Sequence, residues 1–118
     1  MPTITINKTT PSSYVLKAQK EESDQTQFMI KPLTGLEHME VLALADAGDQ
    51  GQMIYAGKSL KLALMFGLKG WENLHDQDGE AIEFNRLNID LLPPLDLHEL
   101  AQEILTRSEL TSTERKNS

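Results

Sequence analysis

With 118 residues, no cysteine and a formal net charge of −7, the chain excludes several classes of function before any motif is read. The length fits one domain, since domains most often run to roughly 100–150 residues, and the missing cysteines remove disulfides, thiol catalysis and the usual structural zinc sites. The acidic balance argues against nucleic acid and anionic membranes, because a phosphate backbone is bound by exchanging its counterions for Lys and Arg.

Hydrophobic residues make up 39%, and one Trp, two Tyr and three Phe leave Leu and Met to fill most of the core. Met also suits adaptable binding faces. The most apolar stretch, residues 60–68, is broken by Lys61 and Gly67 and is too short to span a bilayer. Met1-Pro2-Thr3-Ile4-Thr5 lacks the basic start and apolar run of a secretion signal. The expectation is a soluble protein, compatible with a reducing cytoplasm.

Residues 1–13 alternate Ile4 and Ile6 with Thr and Asn before Pro11, which predicts an extended arm or edge strand. Two strand-like runs follow, residues 14–20 and 27–33, separated by six polar residues, Glu21 to Thr26. Tyr14, Leu16 and Ala18 share one face of the first; Phe28 and Ile30 share one face of the second, opposite Met29. The pair predicts a hairpin closed by Pro32.

Thr34 with Glu37 forms a potential capping box for a helix through Leu36, Met39 and Leu42/Ala43, ending near Ala47-Gly48. After a loop at Asp49-Gln50-Gly51, a second helix is expected over residues 52–66. It carries a stripe of Met53, Ala56, Leu60 and Leu64, widened by Ile54, Leu62 and Met65. Gly57 inside it suggests close packing or a bend, and Gly67 or Gly70 should end it.

Asp78-Gly79 is a turn dipeptide ahead of the alternating Ile82-Glu83-Phe84, predicting a small hairpin or a turn with a short extended piece. A short helix over residues 86–91 should end against Pro93-Pro94. The last helix is the clearest: Asp96 is its candidate N-cap and Glu99 the capping-box partner. Leu97, Leu100, Ala101, Ile104 and Leu105 follow at helical spacing to about Ser108. The resulting expectation is α+β, a mostly helical single domain with an N-terminal β-hairpin and flexible ends. The arm covers residues 1–13, the domain 14–108 and a polar, solvated tail 109–118.

Candidate chemistry fails at nameable positions. His38, His75 and His98 are far apart and none sits in a metal-ligand motif. Placing Gly79 at the glycine of an EF-hand loop puts Leu74 and Asn85 where the outer carboxylate ligands belong. The GxxG spacing of Gly67-Leu68-Lys69-Gly70 matches KH loops, but Lys69 is its sole local cation, so a helix C-cap and tight turn explain both glycines better. Gly-rich phosphate loops and GxSxG are missing from the sequence. No residue is assigned a catalytic, cofactor-binding or metal-ligating role, and an enzyme or metal module centred on Asp76/Asp78 is the least favoured reading. The features that suit partner binding are the arm with Ile4 and Ile6, the tail with Leu110, and the Met-bearing helices (Met39, Met53, Met65).

Tyr14-Val15-Leu16-Lys17-Ala18-Gln19 is followed by Phe28-Met29-Ile30-Lys31-Pro32-Leu33-Thr34-Gly35, then by Gly70-Trp71-Glu72-Asn73 with its Asp78-Gly79 and Phe84-Asn85 sequel. Leu91-Leu92-Pro93-Pro94, the run from Leu97 to Leu105, Leu110-Thr111 and Lys116-Asn117-Ser118 complete the order. This succession, covering most of the chain, resembles small tail assembly chaperones of long-tailed bacteriophages and their prophage relatives. The resemblance implies a protein of the host cytoplasm that binds the tape-measure protein and recruits tail-tube subunits. In that family a longer product commonly arises by ribosomal frameshifting. The alternative is a small structural subunit of the virion, in the tail or at the head–tail junction, whose residues 3–10 lock onto a neighbouring subunit.

Overall fold

Short alternating runs and longer helical stripes divide the chain as composition leads one to expect. The computed structural model describes residues 10–47, 53–54 and 57–117. The elements in order are β1 (Ser12–Tyr14), β2 (Gln27–Ile30), α1 (Gly35–Ala43), β3 (Asp46–Ala47), β4 (Met53–Ile54), α2 (Gly57–Gly67), β5 (Leu68–Glu72), α3 (Arg86–Ile89) and α4 (Pro94–Asn117). Helix at 48% outweighs strand at 16%, so the α+β domain is mostly helical, with the expected hairpin at its start.

In that hairpin β1 pairs antiparallel with β2, Tyr14 facing Phe28, and β2 pairs in turn with β5, Phe28 facing Trp71. Phe28 and Ile30 are buried, as their shared face requires, while Met29 is half-buried. The expected first strand is displaced: it begins at Ser12, and residues 17–19 form a 3-10 turn instead of continuing it. The turn drops Leu16 into the core and leaves Ala18 exposed. Side chains of the polar loop stabilise it. Gln19 Oε1 accepts from the Thr26 amide at 2.9 Å, and Gln25 Nε2 donates to the Gln19 and Lys20 carbonyls at 3.1 and 3.0 Å.

The Thr34–Glu37 capping box forms as expected, with both reciprocal hydrogen bonds present. Glu37 also accepts from Lys31 Nζ at 2.6 Å, which pulls position 37 toward the sheet. That contact sets the rotation of α1. Val41, one turn on, is buried, whereas Leu36 and Met39 of the expected apolar stripe point outward at 77% and 66% exposure. The helix stops at Ala43, short of the expected end, and the chain pairs Asp46–Ala47 with Met53–Ile54 in a two-residue ladder. The expected loop at residues 49–51 lies outside the described residues.

Because residues 53–54 are strand, α2 starts at Gly57, five residues later than expected. Gly57 therefore begins the helix in open space, and neither packing nor a bend explains it. The close approach is at Gly67, where an added Cβ would lie 2.6 Å from Ile104 Cγ2. Ser59, Ala63 and Gly67 are all buried and spaced four apart, a small-residue face that lets α4 pack tightly against α2. Gly67 does end the helix. No tight turn follows it, because the chain passes directly into β5 and Gly70 lies opposite Met29.

Trp71 ties the next segment down. Its indole N–H donates to the Ile82 carbonyl at 2.7 Å, and its ring meets Phe28 and Phe84 edge-on at centroid distances of 6.1 and 4.8 Å. A small hairpin forms here, bridging His75 and Ala81 around Gly79 at φ 82°. Asn73, at φ 61°, donates to the Gln25 carbonyl and its own carbonyl accepts from Thr26, stitching this segment to the polar loop. Asn85 caps α3 by accepting from the Asn88 amide at 2.8 Å, and α3 ends at Ile89, before the expected residue 91.

The α4 stripe is as expected: Leu100, Ala101, Ile104 and Leu105 are buried among Phe28, Ile30 and Val41. Each large aliphatic side chain buried on this face contributes roughly 1.5–3 kcal/mol. Both ends of the helix differ from expectation. It begins at Pro94, since Pro suits a first helical position whose N–H is unpaired anyway, and the Pro93 carbonyl accepts from Leu97. Asp96 is thus inside the first turn and is not the cap. The backbone stays helical to Asn117, past Ser108 and through most of the expected tail.

Candidate interaction surface

The residues weighed for chemistry are used structurally or lie apart. Asp76 Oδ1 accepts from the amides of Asp78 and Glu80 at 2.8 and 3.0 Å, so this carboxylate closes the turn of its own hairpin. Among the described residues no group of three or more His, Asp or Glu is placed to hold a metal. His38 is half-buried with Nε2 enclosed and unpartnered, His75 lies exposed in the hairpin, and His98 is exposed on α4; the fold does not bring them together.

Glu99, expected in a capping box, instead anchors the sheet edge. It accepts from the Tyr14 hydroxyl at 2.6 Å and from the Lys17 amide at 2.9 Å. Burial, reinforced by Glu99, pushes the Tyr14 phenol far above its ordinary value, so it remains a donor across the working pH range. Arg107 completes the clamp by donating to Ser12 Oγ at 2.6 Å and standing 5.8 Å from the centre of the Tyr14 ring. The base of the arm is therefore fixed on α4. Residues 1–9 of the arm, with Ile4 and Ile6, lie outside the described residues, as does the side chain of Leu110.

A groove of ≈ 430 Å³ lies between α2, α3 and the start of α4. Leu60, Leu64 and Met65 line it from α2, Ile89 from α3, and Pro94 and Leu97 from α4. These positions follow from helix geometry. Residues 59, 63 and 67 face inward to the packed side of α2, which turns 57, 60, 61 and 64 toward the groove. Leu87, Leu91 and Leu95, each next in the chain to a lining residue, are 79%, 75% and 84% exposed, and Leu95 lines a separate hollow with Tyr14, Lys17 and Glu99. An open apolar groove of this kind marks a contact surface on a small protein.

Charge at this groove differs in sign from the chain as a whole. Lys61 and Arg86 line it against the single carboxylate of Asp90, with His98 at the α4 wall. Arg86 Nη2 lies 3.5 Å from Met65 Sδ, so the guanidinium reaches from α3 across to α2. Neither Lys61 nor Arg86 makes an ion pair among the described residues; the pairs there are Lys31–Glu37 and Glu103–Arg107.

Of the expected contact features, Met39 and Met65 are on the surface, and Met65 is in the groove. None of Lys61, Arg86, Leu87, Leu91 and Leu95 was expected from the sequence to be a contact residue. Their only signal there is negative: the three leucines fall off every helical stripe that builds the core. No family model matches the chain, and neither a curated protein nor a solved structure matches it.

Proposed function

We propose that this protein acts by binding another protein and not by catalysis, as a tail assembly chaperone that holds the tape-measure protein and recruits tail-tube subunits in the host cytoplasm. The observation that carries the binding role is the apolar groove between α2 and α4, on a molecule that also exposes Leu87, Leu91 and Leu95. Open leucine side chains cost solubility in a free protein, and a partner that covers them gains the area they remove from water. The phage assignment is supported by the order of sequence features from Tyr14 to Ser118. No described helix is long and apolar enough to cross a membrane, which suits a partner met in solution.

The role is tested by co-expression with the tape-measure protein of the same phage, followed by mass spectrometry of purified mature particles. A chaperone co-purifies with tape measure and is missing from particles. Stoichiometric presence in particles would overturn this reading in favour of a structural subunit of the virion.

A further inference from the structure

We infer that the groove takes a two-turn amphipathic helix from a partner protein, one whose apolar stripe is flanked by carboxylates. The inference rests on the binding role proposed above and names the chemistry of the occupant. Its basis is the form and charge of the groove walls.

The walls are helices whose backbone groups are used internally, so a strand has no ladder to join there. On α2 the lining positions are 57, 60, 61, 64 and 65, a helical ridge pattern that accepts the side chains of a third helix. At about 1.5 Å per residue this ridge is about 12 Å long, which matches an apolar stripe of two turns, at i, i+3 or i+4, and i+7. Leu60, Leu64 and Met65 supply the apolar floor.

The cations set the flank. Lys61 and Arg86 are exposed, line the groove and have no carboxylate partner among the described residues, while the chain as a whole carries −7. At physiological salt the screening length is about 8 Å, so remote acidic residues weigh little against two cations in direct contact with a bound helix. Asp90 opposes them singly. The favoured occupant therefore places Glu or Asp beside its apolar stripe on the side facing Lys61 and Arg86.

Two designed 16-residue helical peptides of identical composition and net charge provide the test. One carries Glu beside its leucine stripe and Lys on its outer face; the other has these positions exchanged. Fluorescence anisotropy with the full chain at 0.15 M salt is expected to show the Glu-flanked peptide binding about fivefold tighter, as two exposed ion pairs allow. That preference shrinks at 0.5 M salt. In the double variant Lys61→Glu/Arg86→Glu, whose melting temperature should match the parent because both side chains are exposed, the order of the two peptides reverses. Equal binding of both peptides, an unchanged order in the double variant, or no binding of either overturns the inference. So does self-association in sedimentation velocity that the double variant abolishes, since a second copy would then be the occupant. Failure here with tape measure still co-purifying removes the helix-and-carboxylate assignment alone, whereas loss of co-purification removes the chaperone role itself.

Discussion

Ser108 shows how much a single buried hydroxyl controls. Its Oγ donates to the Ile104 carbonyl at 2.7 Å and accepts from the Leu33 amide at 2.9 Å, joining α4 to the segment between β2 and α1. Replacing Ser108 with Ala strands the Leu33 N–H in a dry interior, and a loss of about 1–3 kcal/mol is expected by chemical denaturation. Gly67→Ala meets the opposite problem, excess volume. The added methyl collides with Ile104, and a similar loss of about 1–3 kcal/mol is expected, even though Ala favours helix over Gly by about 1 kcal/mol in open positions. Glu37 supplies a pH signature. Burial raises its carboxyl pKa, but Lys31 and the amide and hydroxyl of Thr34 more than reverse this, leaving it below the ordinary value of 4.5. A depressed carboxylate pKa gives stability that is present above the unfolded value and lost as pH falls through the folded one. The melting-temperature gap between the parent and Glu37→Gln should therefore be open at pH 6 and close as pH falls below the ordinary carboxylate range.

At the scale of elements, helical spacing located α4 but misjudged α1. Both carried apolar stripes. On α4 the stripe packs against α2, and Leu100, Ala101, Ile104 and Leu105 are buried as expected. On α1 the Lys31–Glu37 pair, which ties the helix to the residue just after β2, holds a polar position inward and turns Leu36 and Met39 out. That constraint is tertiary and leaves no trace in periodicity. The β3–β4 ladder was missed for a related reason: two-residue strands have no period to detect. The contrast yields a prediction. Leu100→Ala should lose about 2–5 kcal/mol through the cavity it leaves, whereas Leu36→Ala should change stability by less than about 0.5 kcal/mol. Comparable losses in thermal melts of the two variants would show that α1 is rotated otherwise.

For the whole molecule, sequence reading identified the fold class, the capping box and the final helix. It did not find the groove. A groove is made by residues from three elements that are distant along the chain, α2, α3 and the start of α4, and its cations lie 25 positions apart at Lys61 and Arg86. What the sequence did hold was a surplus of leucines outside the core stripes, and three of them, Leu87, Leu91 and Leu95, are exposed next in the chain to residues that line the groove. The exposed pair Leu87 and Leu91 gives the most direct check, because both can change without touching the core. The measurement is the yield of tape-measure protein retained by the parent and by Leu87→Asp/Leu91→Asp in co-purification, with thermal melts confirming equal folding. Binding through this surface predicts at least a tenfold fall in retained partner for the variant, as losing central apolar contacts commonly produces. Equal retention by parent and variant would contradict it.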